Sequence, residues 1–159
     1  MEEVKIRRAK ESDIEILDKL LYEVHKIHSS ARPDLFKIGA KKYKDDELKE
    51  IIANDKTPVF VAEKNSCVIG YVFCIHKQFI NDNNMTDIKT LYIDDLCVDE
   101  QARGQHIGRL LYDYVINYAK ENNFYNVTLN VWADNKNAVK FYEKIGLKIQ
   151  KIGMEKILH

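Results

Sequence analysis

Two carboxylates stand side by side at Asp94-Asp95, inside the apolar run Leu91-Tyr92-Ile93-Asp94-Asp95-Leu96-Cys97-Val98. Acids held at one point of a strand can take a proton from a nucleophile or hold a cation. The register around them is broken. Leu91 and Ile93 share one parity while Leu96 and Val98 have the other, so strict alternation requires one extra residue at Asp94-Asp95. Such a residue makes a β-bulge, which bends the strand and leaves backbone groups without a ladder partner. The alternative is a strand apolar on both faces, with Tyr92 and Cys97 buried as well; the parity change favours the bulge.

Shortly beyond the strand comes Arg103-Gly104-Gln105-His106-Ile107-Gly108. Ile107, Leu110, Leu111, Tyr114, Val115 and Tyr118 then recur at helical spacing, so a helix of about four turns begins between Gly104 and Gly108. The first N–H groups of a helix have no internal partner and sit at the positive end of its dipole, which makes this turn an anion site. Arg103 adds a full charge, and Gly104 and Gly108 remove the Cβ atoms that would hold a ligand off. The loop is not a Walker turn, since no Gly-Lys-Ser or Gly-Lys-Thr follows it, and the third glycine of the dinucleotide fingerprint is absent.

A second group of residues lies further on. Val127, Leu129 and Val131 alternate as a strand, and Asp134 or Asn135 can cap the helix after it. Ala138, Phe141, Tyr142 and Ile145 form the apolar stripe of that helix, and Gly146 suits a left-handed residue after its last turn.

Together these segments resemble the GCN5-related N-acetyltransferase (GNAT) family. The family's acetyl-CoA loop reads Gln or Arg, two residues, Gly, one residue, Gly or Ala; Gln101-Ala102-Arg103-Gly104-Gln105-His106 fits all but the last position, where His106 departs. The second family signature is met by Asn135, Ala138 and the run Phe141-Tyr142-Glu143-Lys144-Ile145-Gly146-Leu147, with Leu147 in place of the usual Phe. The resemblance extends over nearly the whole chain. It implies one domain over residues 1–159 with a mixed α/β (α+β) acyl-CoA N-acyltransferase fold: a mixed sheet, a bulged central strand and helices on both faces.

It also implies an activity, transfer of acetyl from acetyl-CoA to a primary amine by direct attack in a ternary complex, and roles for the residues. An amine with a pKa near 10.4 is mostly charged at pH 7, so a base or water chain must take its proton. Asp94 and Asp95 are the candidates; successive strand residues point to opposite faces, so one of the pair is expected to reach the cleft, with Asp95 favoured. The competing reading is a solvated pair that balances a nearby Arg or Lys. The Leu96 N–H is expected to bind the thioester oxygen as it gains charge. Cys97 and Val98 are expected to bond the pantetheine arm as an added strand would. Arg103, Gly104, Gln105, His106, Ile107 and Gly108 should surround the pyrophosphate. Asn135 should hold a pantetheine amide, and Tyr142 should protonate the departing thiolate. His28, Arg32, Phe36 and Tyr92 are the candidates for lining the acceptor cleft.

The composition is compatible with this. The 159 residues, 45% hydrophobic, can bury one core and not two ordinary ones. With 25 basic and 25 acidic side chains there is no field to gather nucleic acid or an anionic membrane. No metal is expected. Cys67, Cys74 and Cys97 lack metal spacing and are expected as reduced core residues. No run is long enough to span a bilayer and the N-terminus is not a signal peptide, so the cytosol is the expected compartment. A small-molecule or peptide amine is the expected partner, and a homodimer is compatible with the reading. A non-catalytic acetyl-CoA sensor or a nucleotide-binding α/β module are the rivals. The sensor would lose the proton-transfer groups, and the module would not need the segment from Asn135 to Gly146.

The remaining elements must position these residues. A strand is expected at residues 4–7, then a helix opened by a capping box at Ser12 to Glu15. A second helix is expected over 41–54, strands at 59–63 and 68–76 around a turn at Lys64-Asn65-Ser66, a hairpin tip at 81–87, and a last strand at 147–156.

Overall fold

The computed structural model describes residues 3–159. The chain forms two compact units, one ending at Leu129 and the other running Asn130–His159.

In the first unit β1 (Lys5–Arg8) is followed by α1 (Ile14–Ala31) and α2 (Asp45–Ala53), then β2 (Val59–Lys64), β3 (Cys67–Lys77) and β4 (Thr90–Val98). After these come α3 (Ile107–Glu121) and β5 (Asn126–Leu129). The strands make one mixed sheet in the order β1-β2-β3-β4-β5, antiparallel except for β4 and β5. Parallel neighbours need a crossover, and α3 supplies it. Asn65 and Ser66, at φ of 54° and 62°, close the β2–β3 hairpin; two left-handed residues match the twist of the flanking strands.

Alternation along β2 divides the core. Val59 and Val61 join Leu17, Leu20, Leu21 and Leu48 of α1 and α2, with Tyr71 and Phe73 of β3. Phe60 points the other way, its ring 4.9 Å from Tyr114 and 5.2 Å from Tyr118 of α3. Helices therefore cover both faces. Gly70 permits the α3 side: a Cβ there would stand 3.0 Å from the Cys97 carbonyl oxygen and 3.2 Å from Leu111 Cδ1, tighter than a packed interior accepts.

Several local expectations give way to tertiary contacts. Asp13, rather than Ser12, organises the entry to α1: its carboxylate accepts the Lys10 N–H at 2.9 Å and the Arg7 guanidinium at 2.8 and 3.0 Å. The Arg7 charge holds the Asp13 carboxyl below its usual range. Helix α2 starts only at Asp45, because the preceding residues make other contacts: Lys41 binds Asp18 at 2.5 Å and also binds Asp45. Cys74 and Cys97 are buried as expected, but Cys67, at the outer end of β3, is exposed.

The second unit contains α4 (Lys136–Lys144). Its stripe has the expected spacing, with Ala138, Phe141, Tyr142 and Ile145 half-buried and none fully so. Two strand expectations fail. β5 stops at Leu129 instead of running through Val131, and residues 147–156 form no strand. Ile149 and Ile152 are 72% and 75% exposed. A strand exists only with a ladder partner for its backbone groups, and apolar spacing alone supplies none. Among the described residues, no helix is long and apolar enough to cross a membrane.

Candidate functional site

The bulge lies where the parity break places it. Phe73 pairs with Asp95 and the next residue, Cys74, with Ile93, so Asp94 is the extra residue of β4. The β4–β5 pairing runs from Thr90↔Asn126 to Ile93↔Leu129 and ends there. The strand thus bends at the point where its parallel neighbour stops. The phase of the β3–β4 ladder follows from the Asp99 N–H, which donates to the Ile69 carbonyl at 2.7 Å. Antiparallel bonds alternate, so Cys97 and Asp95 exchange hydrogen bonds with Tyr71 and Phe73. Leu96 and Val98 turn their N–H and C=O groups toward the side that β5 has left. Of the three residues expected to bond a pantetheine arm or thioester, Leu96 and Val98 keep backbone groups off the β3 ladder, with the Leu96 N–H turned to the Asp95 carboxylate; Cys97 spends its own on β3.

The two carboxylates do not diverge. The Tyr43 hydroxyl donates to Asp94 Oδ2 and the Tyr71 hydroxyl donates to Asp95 Oδ2 at 3.0 Å. Both tyrosines pack on Phe73, Tyr43 stacked at 5.6 Å and Tyr71 edge-on at 5.0 Å. The bulge inserts a residue, so the two neighbours meet tyrosines that share the Phe73 ring instead of turning to opposite faces. Their roles differ. Lys42 binds Asp94 Oδ2 at 3.1 Å, so Asp94 balances a cation, but the pair is not solvated as the competing reading had it, since the Asp94 side chain is only 13% exposed. Burial pushes Asp95 up to about 6, opposed by the Lys42 charge and the Tyr71 hydrogen bond. That value suits a base near neutrality. Burial also raises the Tyr43 and Tyr71 hydroxyls, so both stay protonated donors. The Cys97 thiol is pushed up to about 12, chiefly by burial, and is no nucleophile.

Tyr43, Tyr71 and Lys42 are the functional neighbours that residue patterns did not single out. Tyr71 did carry a signal, since a tyrosine on the core side of a strand needs a partner for its hydroxyl. Tyr43 and Lys42, in the stretch Lys41-Lys42-Tyr43-Lys44, carried none.

The glycine loop opens with a short 3-10 turn, Glu100–Ala102, which the Asp99 carboxylate caps by accepting the Gln101 N–H at 3.0 Å. Arg103 leaves it in an extended conformation and Gly104 turns at φ 84°. His106, at φ 60°, is the residue just before α3, and its carbonyl accepts the Leu110 N–H at 3.1 Å. The N–H groups of Ile107, Gly108 and Arg109 precede that first helical bond. Ile107 is buried and anchors the turn. Gln105 accepts a hydrogen bond from Lys64 at 2.9 Å. A Cβ on Gly104 would meet nothing within 4 Å, so the space above the loop is open.

The departure at His106 now has a physical meaning. The position needs a left-handed backbone, which costs a non-glycine residue about 1–2 kcal/mol, and the family's glycine there avoids that cost. His106→Gly is expected to gain up to about 1 kcal/mol in denaturant unfolding, after the larger chain entropy of glycine is subtracted, and to keep its affinity for acetyl-CoA. A tenfold loss of affinity by calorimetry would show that the imidazole itself is a ligand.

Of the residues named for the acceptor, His28 stacks on Phe36 at 5.2 Å, with His25 edge-on to the same ring at 5.8 Å. Burial lowers the His28 pKa, and the charges of His25 and Lys42 lower it further. Arg32 clamps Asp34 at 2.9 and 2.8 Å. Tyr92 lies on β4, two residues before the bulge, with Lys77 Nζ 4.0 Å above its ring. In the second unit the Asn135 side chain caps α4, accepting the Ala138 N–H at 3.3 Å. Tyr142 packs edge-on to Phe141 at 5.2 Å, and its carbonyl accepts the Leu147 N–H. Gly146 takes the left-handed turn at φ 110°.

Comparison with known proteins gives these features a context. Residues 21–147 match the sequence model of the acetyltransferase (GNAT) family. The crystal structure of a tetramutant of BH1408 from Bacillus halodurans superposes with a TM-score of 0.91 at 31% identity, covering 97% of this chain and 99% of that one. The uncharacterized N-acetyltransferase MJ1207 of Methanocaldococcus jannaschii is 29% identical over 119 residues, 75% of this chain. The match spans about half of that relative, 51% of its length. Aminoglycoside N-acetyltransferase AAC(6')-Iy, crystallised with CoA, shares the fold at a TM-score of 0.73 and 13% identity, covering 100% of this chain and 97% of that one. With a family match over most of its length and the family's bulged strand and glycine turn in place, the chain belongs to the acetyltransferase (GNAT) family.

Proposed function

We propose that residues 1–159 act as one acetyltransferase domain that moves the acetyl group of acetyl-CoA to a primary amine by direct attack in a ternary complex. One observation carries the reading. The β4–β5 pairing ends at Ile93↔Leu129, directly before the bulge residue Asp94, and β4 then runs on unpaired on that side to Val98, shortly ahead of the glycine turn that opens α3. Leu96 and Val98 then offer backbone groups to a chain laid along that edge, as an added strand would use them. The first N–H groups of α3, with Arg103, offer a seat for its phosphates.

The chemistry follows. The amine must reach the thioester uncharged, and Asp95, poised near 6, takes its proton directly or through water. The lone pair attacks the carbonyl carbon, whose oxygen gains charge and is held by the Leu96 N–H. Tyr142 protonates the sulfur as it leaves. Its assignment rests on the family motif, as does that of Asn135 to a pantetheine amide. The acceptor is a cationic amine, small or borne on a peptide, which the acids attract; His28, Arg32, Phe36 and Tyr92 are proposed to shape its approach. The cytosol is the proposed compartment.

The test is release of coenzyme A thiol from acetyl-CoA with a panel of polyamines, aminoglycosides, amino-acid amines and peptide amines. Release that depends on one class supports the reading and names the acceptor. Tight binding of acetyl-CoA with no release for any amine would replace it with the sensor reading.

A further inference from the structure

Lys42, on the loop between α1 and α2, reaches the bulge. Its Nζ lies 3.1 Å from Asp94 Oδ2 and 3.1 Å from the Asp94 carbonyl oxygen. A primary ammonium on an unbranched alkyl chain therefore sits on one of the paired acids that attract the acceptor amine. The loop presents it there. On one side Lys41 is tied to Asp18 and Asp45, and on the other Tyr43 is held by its hydroxyl on Asp94 and its ring on Phe73. These anchors fix the loop backbone on either side of Lys42. Its side chain keeps 41% of its surface exposed, against 15% for Lys41, so it is held by the carboxylate and carbonyl of one residue and not by burial. The lysine half of the pair faces solvent while the Asp94 carboxylate is largely covered, at 13% exposed, so the amine can swing off the acid without opening the fold.

We propose that Lys42 is itself an acetyl acceptor, modified in cis on its Nζ by the acetyl-CoA bound to the same chain. The proposal rests on the N-acetyltransferase reading above. In the step, the ammonium gives one proton to the paired acids and thence to solvent. The neutral nitrogen attacks the thioester carbonyl carbon, a C–N bond forms and the C–S bond breaks. The second proton lost from nitrogen ends on the departing sulfur. Lysine and acetyl-CoA become Nε-acetyllysine and coenzyme A, with nothing oxidised or reduced. The product carries no charge, so Asp94 loses its internal counter-ion and is released for an incoming cation.

The full chain is incubated with acetyl-CoA and no added amine, then followed by intact mass and peptide mapping. The expected result is one acetyl group per chain, at Lys42, forming at least tenfold faster than at any other lysine. Its first-order rate should not change when protein concentration is raised tenfold. Lys42→Arg should lose the adduct. In parallel, the amine panel reports thiol release. Amines acetylated while Lys42 stays unmodified would overturn this inference and leave the enzyme reading standing; no acetylation of either would overturn both. Acetyl groups spread over many lysines, the same rate at Lys42 in heat-unfolded chain, or a rate that rises with protein concentration would each refute transfer in cis.

Discussion

Tyr142→Phe is expected to bind acetyl-CoA nearly as tightly as the parent and to turn over an active amine roughly ten- to a thousandfold more slowly, the range for a lost general acid. The separation of binding from chemistry is the point of the measurement. The ring of Tyr142 packs on Phe141, and phenylalanine keeps that contact, so the change removes only the hydroxyl. Calorimetry with acetyl-CoA and steady-state thiol release on the same preparation give the two numbers. Full turnover in the variant would assign the proton to water and leave the rest of the mechanism intact. Equal losses of affinity and turnover would mean that the hydroxyl binds the cofactor and does not act on the sulfur.

Asp95→Asn is expected to slow turnover and to stabilise the protein. Burial raises the Asp95 carboxyl from 3.8 to about 6 in the folded chain. Between those values the native state keeps a proton that the unfolded chain has released, so stability falls as pH rises through about 4 to 6 and the loss is complete above that window. A shift of about two units corresponds to at most about 3 kcal/mol. The variant should match the parent in denaturant melts near pH 4 and exceed it by about 1–3 kcal/mol at pH 7.5. Turnover should drop, and the rising limb of the pH–rate profile should move up toward the pKa of the free amine, which must then deprotonate unaided. A variant with parental turnover at pH 7.5 would remove Asp95 from catalysis. A variant no more stable than the parent there would mean that its carboxylate is not destabilised by burial.

The cost in stability and the gain in reactivity have one origin. The Tyr71 hydroxyl and the Lys42 charge favour the Asp95 carboxylate, but burial outweighs them. Asp94, adjacent in the chain, is held by Tyr43 and Lys42. Two chemically identical side chains thus receive different environments from their neighbours.

What the sequence determined by itself was local. The odd residue at Asp94-Asp95 is visible because strand parity has a period of two, and one inserted residue shifts every side chain after it. The α3 terminus is visible because apolar spacing changes from two to three and four just after a glycine turn. The α4 segment was legible for the same reason, and so was the cap at Asn135. The tertiary structure decided whatever depends on partners remote in the chain. Tyr71 meets Asp95 across 24 positions and Tyr43 meets Asp94 across 51, and only the β3–β4 register and the course of the α1–α2 loop bring them there. The same register committed the Cys97 backbone to Tyr71 and turned Leu96 and Val98 away from β3. The His106 departure was visible as a mismatch to the motif, and only the backbone shows that the position is left-handed, at φ 60°. The segment after Gly146 has strand-like apolar residues and no strand, because pattern specifies which face would be buried, and a ladder also requires a neighbour to bond.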